Sequence, residues 1–127
     1  MKQSTVRCIP LLFTETDTVK VNLFISFKVG KIKLKGLSAH VLADHATSLS
    51  VGSLKTTMIQ DGYIQSLCGF SLVSDTDSNT QYEISYDPIS TNLNGEFTFK
   101  LLYGDTPFTD SELINVSIML TLEFFEL

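Results

Sequence analysis

A chain of 127 residues is the size of one domain and long enough to bury a core without disulfide or metal staples. Hydrophobic residues make up 43%, too many for a disordered chain, and no apolar run approaches the ~18 residues of a membrane-spanning helix. The net charge is −5, divided so that residues 1–63 hold eight basic and four acidic side chains, and residues 64–127 one basic and ten acidic.

The opening stretch, MKQSTVRCIPLLFTETD, has a short apolar patch broken by Pro10. It lacks a continuous apolar segment followed by a small-residue cleavage site, so no secretory leader is expected. It reads instead as a first strand over 4–13. In the next run Val19, Val21, Leu23, Ile25 and Phe27 alternate with Lys20, Asn22, Phe24 and Ser26. Period two is the mark of a strand with one buried face, here over 19–29. After Gly30, Lys31-Ile32-Lys33-Leu34-Lys35 repeats the pattern with lysines outside and opens a strand over 31–42. SAHVLADHATSL, residues 38–49, is the one helical possibility, but its apolar positions form no clean stripe.

Further strands are expected over 54–59 and 63–73, on either side of Asp61-Gly62, and over 81–87, where Tyr82, Ile84 and Tyr86 alternate with polar residues. DTDSNT, residues 75–80, reads as a polar loop, and Asn94-Gly95 is the strongest turn signal in the chain. Phe97, Phe99, Leu101 and Tyr103 then mark a strand over 96–103. Finally Ile114, Val116, Ile118, Leu120, Leu122 and Phe124 alternate with Asn115, Ser117, Met119, Thr121 and Glu123, a strand over 113–125. Eight strands, clear turn signals and almost no helix predict an all-β fold, an eight-stranded antiparallel β-sandwich in one domain spanning 1–127. Met119 and Phe125 on the odd face of the last strand, and Phe24 on the polar face of 19–27, are candidates for surface covered by another subunit.

Signals for chemistry are poor. Cys8 and Cys68 are too few for a disulfide framework or a zinc ribbon, and two buried free thiols are expected, with a single disulfide between them left open. His40 and His45 stand five apart, the wrong spacing for a metal pair on a helix and opposite faces on a strand. Asp44 could orient one of them, but no nucleophile motif accompanies it. Asp75, Asp77 and Asn79 have the spacing of a calcium-loop start, yet Thr80 and Tyr86 stand where an EF-hand needs Gly and Glu. A looser inter-strand calcium site is the weaker reading beside a solvated hairpin. Asn115-Val116-Ser117 matches a glycosylation sequon in mid-strand and is read as chance. The lysines of 28–35 could neutralise phosphates, but no aromatic platform is interleaved with them, so specific nucleic-acid recognition is not expected. Sugar stacking would need exposed aromatics; there is no Trp, and the alternating tyrosines look partly core-directed.

The stretch GEFTFKLLYGDTPFTDSELINVSIMLTLEFFEL, from Gly95 to the end, and the segment KVGKIKLKGLSAHVL resemble strands of single jelly-roll capsid proteins. These are of the penton or minor-capsid type, found in double-stranded DNA viruses, virophages and polinton-like viruses. The resemblance covers a third to a half of the chain and rests on pattern. It implies a single jelly roll, a structural role in the virion, no catalytic residues and no cofactor. It also implies partners that are copies of the same chain in a ring, a pentamer foremost, together with neighbouring capsid proteins. The N-terminal arm that such subunits often use is nearly absent, because strand-like sequence begins near residue 4. In this setting Phe24, Lys31, Lys33, Lys35, Met119 and Phe125 are the expected subunit interface, the lysines meeting acidic side chains of an adjacent copy. Two other readings stand beside it. One is a lectin-like or receptor-binding β-sandwich module such as a spike or fibre head. The other is a cupin-like enzyme, which two histidines five apart do not supply with ligands.

Overall fold

The computed structural model describes residues 2–26, 29–41, 51–60, 63–71, 78–80, 84–86, 94–103, 106–107 and 114–126. Among these the fold is all-β, with two antiparallel sheets. The strands are β1 (Ser4–Thr14), β2 (Thr18–Leu23), β3 (Val29–Val41), β4 (Val51–Gln60), β5 (Tyr63–Ser71), β6 (Ser78–Thr80), β7 (Ile84–Tyr86), β8 (Gly95–Tyr103) and β9 (Asn115–Glu126). A five-stranded sheet runs β1-β9-β3-β6, with β7 also paired to β3, and a four-stranded sheet runs β2-β8-β4-β5. Two short strands lie along β3: β7, inside the strand expected over 81–87, pairs with Ile32–Leu34, and β6, inside the loop expected over 75–80, pairs with Leu37–Ala39. Two expectations are corrected with it. Ser78–Thr80 is strand and not loop, and Ser38–Val41, the start of the helical possibility, is the end of β3. In both cases a long neighbouring strand supplies the hydrogen-bond partners that local propensity ignores.

The inner faces form a sandwich core. Ile9, Leu11 and Phe13 of β1, Ile32, Leu34, Leu37 and Ala39 of β3, and the even positions of β9 from Val116 to Phe124 are all buried in one cluster. Leu54 and Met58 of β4, Leu67 and Cys68 of β5, and Phe97, Phe99 and Leu101 of β8 complete it from the other sheet. Among the register shifts, two break strict alternation beside the core. Between Leu34 and Gly36, β3 advances two residues while β9 advances one, from Leu122 to Thr121. Lys35 is the extra residue, which is why both Leu34 and Leu37 face inward across an odd-numbered step. On β5, Leu67 is the extra residue between Cys68 and Ser66, so two consecutive side chains are buried.

Glu15–Asp17 hands the chain from one sheet to the other. Glu15 adopts a left-handed φ of 57° while its N–H donates to the Ile114 carbonyl at 3.0 Å, closing the β1–β9 ladder. Two residues on, the Asp17 carbonyl accepts the Leu101 N–H at 2.8 Å and starts the β2–β8 ladder. The Asn94-Gly95 signal marks no hairpin, since β7 and β8 lie in different sheets. Gly95 has φ 134°, a conformation that disfavours any side chain, and the Asn94 Oδ1 accepts the Ile25 N–H at 2.8 Å just past the end of β2.

Candidate self-association surface

Five of the six expected interface residues share one surface, the outer face of the five-stranded sheet. On β3, Lys31 lies opposite Phe125 and Lys33 opposite Glu123, and Lys35 Nζ sits 3.7 Å from Glu123 Oε1 of its own chain. Met119 projects from β9 between Pro10 on β1 and Ser38 on β3 and is 45% exposed. Phe125 is half-buried between Ser4 and Lys31. The sixth, Phe24, is elsewhere. It stands just beyond β2, at the edge of the other sheet, and is 75% exposed. Its neighbours Leu23 and Ile25 point into the core, so alternation drives the ring outward.

The reading of residues left out the outer row of β1. Val6, Cys8, Pro10 and Leu12 are all exposed, Val6 at 49% and Leu12 at 56%. The signal was available: once Ile9, Leu11 and Phe13 are inward, the even positions must be outward. It was hidden because 4–13 is apolar on both faces. The same parity corrects the expectation that both thiols are buried. Cys8 is exposed and free, with its sulfur 3.8 Å from Thr121 Oγ1, while Cys68 is buried and free. Burial pushes the Cys68 thiol up to about 12, which removes it from thiolate chemistry at ordinary pH.

The outer face of the four-stranded sheet is polar. Lys20 and Glu96 pair at 3.8 Å with both side chains well exposed, a contact of little energetic weight. Thr57 Oγ1 accepts the Thr98 N–H at 3.0 Å, extending the β4–β8 seam. Tyr103, expected to be partly core-directed, is exposed at the end of β8, where it exchanges backbone hydrogen bonds with Thr106. Of the calcium candidates, Asp75 and Asp77 lie outside the described residues, and Asn79 is in β6 opposite Ser38. His45 also lies outside them, and His40 occupies a β3 position opposite Ser117. The sequon residue Asn115 is buried and accepts from Thr14 Oγ1 at 3.4 Å. Among the described residues no group of three or more His, Cys, Asp or Glu could hold a metal ion, and no helix is long and apolar enough to cross a membrane.

No family model and no curated protein matches the chain. Among solved structures it is similar to the Drosophila NLP core, described in terms of pentamer formation and histone binding, at 15% identity and a TM-score of 0.41, over 94% of this chain and 98% of that one. It is also similar to a chain of the acid-stable capsid of Helicobacter pylori bacteriophage KHP30, at 13% identity and a TM-score of 0.43, over 98% and 93%. A third similarity is to Turnip Yellow Mosaic Virus, at 10% identity and a TM-score of 0.37, over 99% and 94%. At these values the likenesses carry neither fold nor function across.

Proposed function

We propose that the chain is a structural virion protein, a single jelly-roll domain that assembles through unlike faces into a ring, as a penton or minor capsid subunit of an icosahedral shell. Strand pairing supports the jelly roll. With β6 and β7 taken as two halves of one interrupted strand, β1 pairs with β9, β2 with β8, β3 with β6/β7 and β4 with β5. That nesting is one long antiparallel hairpin with its tip at β4–β5, rolled so that successive pairs alternate between two sheets. That arrangement supports the eight-stranded, double-sheet jelly-roll reading. Both sheets line one buried cluster, which supports a single domain.

Fold alone does not give function. The observation that carries this reading is the separation of two unlike exposed surfaces. The outer face of β3 and β9 presents lysines with Met119 and Phe125, while Phe24 protrudes at the edge of the other sheet. A contact between unlike patches of two copies repeats around an axis and closes a ring. The native mass of the purified protein, with and without calcium, tests this. A discrete multiple of the chain mass, a pentamer foremost, is the expected result. The variant Lys31→Glu/Lys33→Glu/Lys35→Glu should remain folded and fail to form the ring. The double variant Lys31→Glu/Lys33→Glu, which leaves the Lys35–Glu123 pair in place, is measured beside it. Normal ring assembly by both variants would refute the lysine contact.

The second reading, a lectin-like or receptor-binding module, draws on Tyr103, whose exposed ring at the end of β8 could stack on a sugar. A stable monomer that binds a glycan, and loses that binding in Tyr103→Ala, would favour it.

A further inference from the structure

The outer row of β1 has a symmetry that its sequence alone does not advertise. Reading outward side chains from one end, the row is Ser4, Val6, Cys8, Pro10, Leu12, Thr14. About a centre at Ile9 the order is polar, branched apolar, small, small, branched apolar, polar. Turned end for end, the row presents the same chemistry to itself. It carries no Lys, Arg, Asp or Glu, so two such rows meet without like-charge repulsion. Met119 of β9 lies beside Pro10 and widens the apolar strip at its middle.

The backbone of β1 determines how a partner can approach. Gln3 and Glu15 both bond to the β9 side, through the Gln3 carbonyl and the Glu15 N–H. The register between them is unbroken, so the odd residues of β1 bond to β9 and the even residues direct their backbone groups to the free edge. Pro10 is an even residue near the middle of that edge and has no N–H to donate. Extension of the sheet by a second β1 is therefore blunted at its centre. The side-chain face is left as the route of contact.

We infer that the outer row of β1 is a two-fold contact between two copies of this chain, packed face to face and antiparallel about Ile9. Val6 of one copy then meets Leu12 of the other, and Cys8 meets Pro10. This contact does not rest on the ring proposed above, and it shares Met119 and the outer face of the five-stranded sheet with it.

The register makes a sharp test. In a Cys8→Ala background, Val6→Cys and Leu12→Cys chains are prepared separately and oxidised with copper phenanthroline, alone and mixed. Two copies of position 6 lie six residues apart across the axis, roughly 20 Å, as do two copies of position 12, whereas position 6 of one copy faces position 12 of the other. The mixture is expected to yield a covalent two-chain species and neither variant alone. No such species in the mixture, or equal yield from either variant alone, overturns the inference. Both sites are about half exposed, so the substitutions leave the core untouched. Sedimentation gives a second readout: Leu12→Glu should weaken concentration-dependent pairing at least tenfold, and an unchanged profile counts against the contact. The crosslink reads the β1 register and the native mass reads the ring, so failure of this contact is distinguished from failure of the ring.

Discussion

At the scale of single residues, the two cysteines show how one step of parity sets chemistry. Cys8 is on the outside of β1 and should react with a water-soluble maleimide in the native protein. Cys68 sits beside Leu67 in the β5 bulge and should react only on unfolding. Desolvation raises the Cys68 thiol from 9.0 to about 12. The unfolded chain therefore loses this proton first as pH rises. The stability tied to it is complete below pH 9 and is lost progressively between pH 9 and 12, by roughly 1 kcal/mol per pH unit. Urea titrations across that window should show the decline in the natural protein, and a shallower one in Cys68→Ala. Equal slopes would mean that Cys68 does not feel its burial.

At the scale of elements, the β3 bulge decides which changes the fold tolerates. Lys35 is the extra residue against β9, so its deletion makes the ladder regular and leaves Ile32, Leu34 and Leu37 inward. Lys33 is an ordinary ladder residue opposite Glu123, so its deletion makes Ile32 and Leu34 consecutive and turns one of them out. Denaturation midpoints should show Lys35 deletion retaining cooperative folding and Lys33 deletion losing about 2 kcal/mol or more. The β9 strand gives a second contrast within one element. Leu120→Ala empties a fully buried site and should cost about 2–5 kcal/mol, while Met119→Ala, on the outer face, should change monomer stability by less than about 0.5 kcal/mol. Comparable losses from both would show that the outer face is packed within a single copy.

At the scale of the whole molecule, the charge division between the two halves of the chain turns out to be interleaved. β3, from the basic half, lies against β9, from the acidic half, and Lys35 meets Glu123 within one copy. Part of the field therefore cancels inside the subunit, and any inter-subunit attraction must use what remains around it. Each sheet also has blunted edges. Pro10 interrupts the donors of β1, β6 and β7 are three residues each, β2 is short, and β5 carries the Leu67 bulge. Such edges disfavour extension of either sheet by strand addition. Pro10→Thr restores the missing donor on β1 and is expected to raise aggregation at high concentration, measured by light scattering.

The strands, their inward faces and the all-β class follow from the chain alone, because a period of two with branched and aromatic residues has no other stable use. β9 was legible from Ile114 to Phe124 for that reason, whereas the inward face of β1 was not, because 4–13 is apolar on both faces. The partners of each strand were not legible, because pairing is settled by which edges and inner faces can be satisfied together. Only the tertiary structure sets β1 beside β9 across the length of the chain, makes Ser78–Thr80 a strand along β3, and places Lys35 and Leu67 in bulges. It likewise gathers Met119, Phe125 and three lysines on one face, sends Phe24 to another, and exposes the outer row of β1. Local alternation says that a residue faces out; the sheet's neighbours decide what it faces out beside.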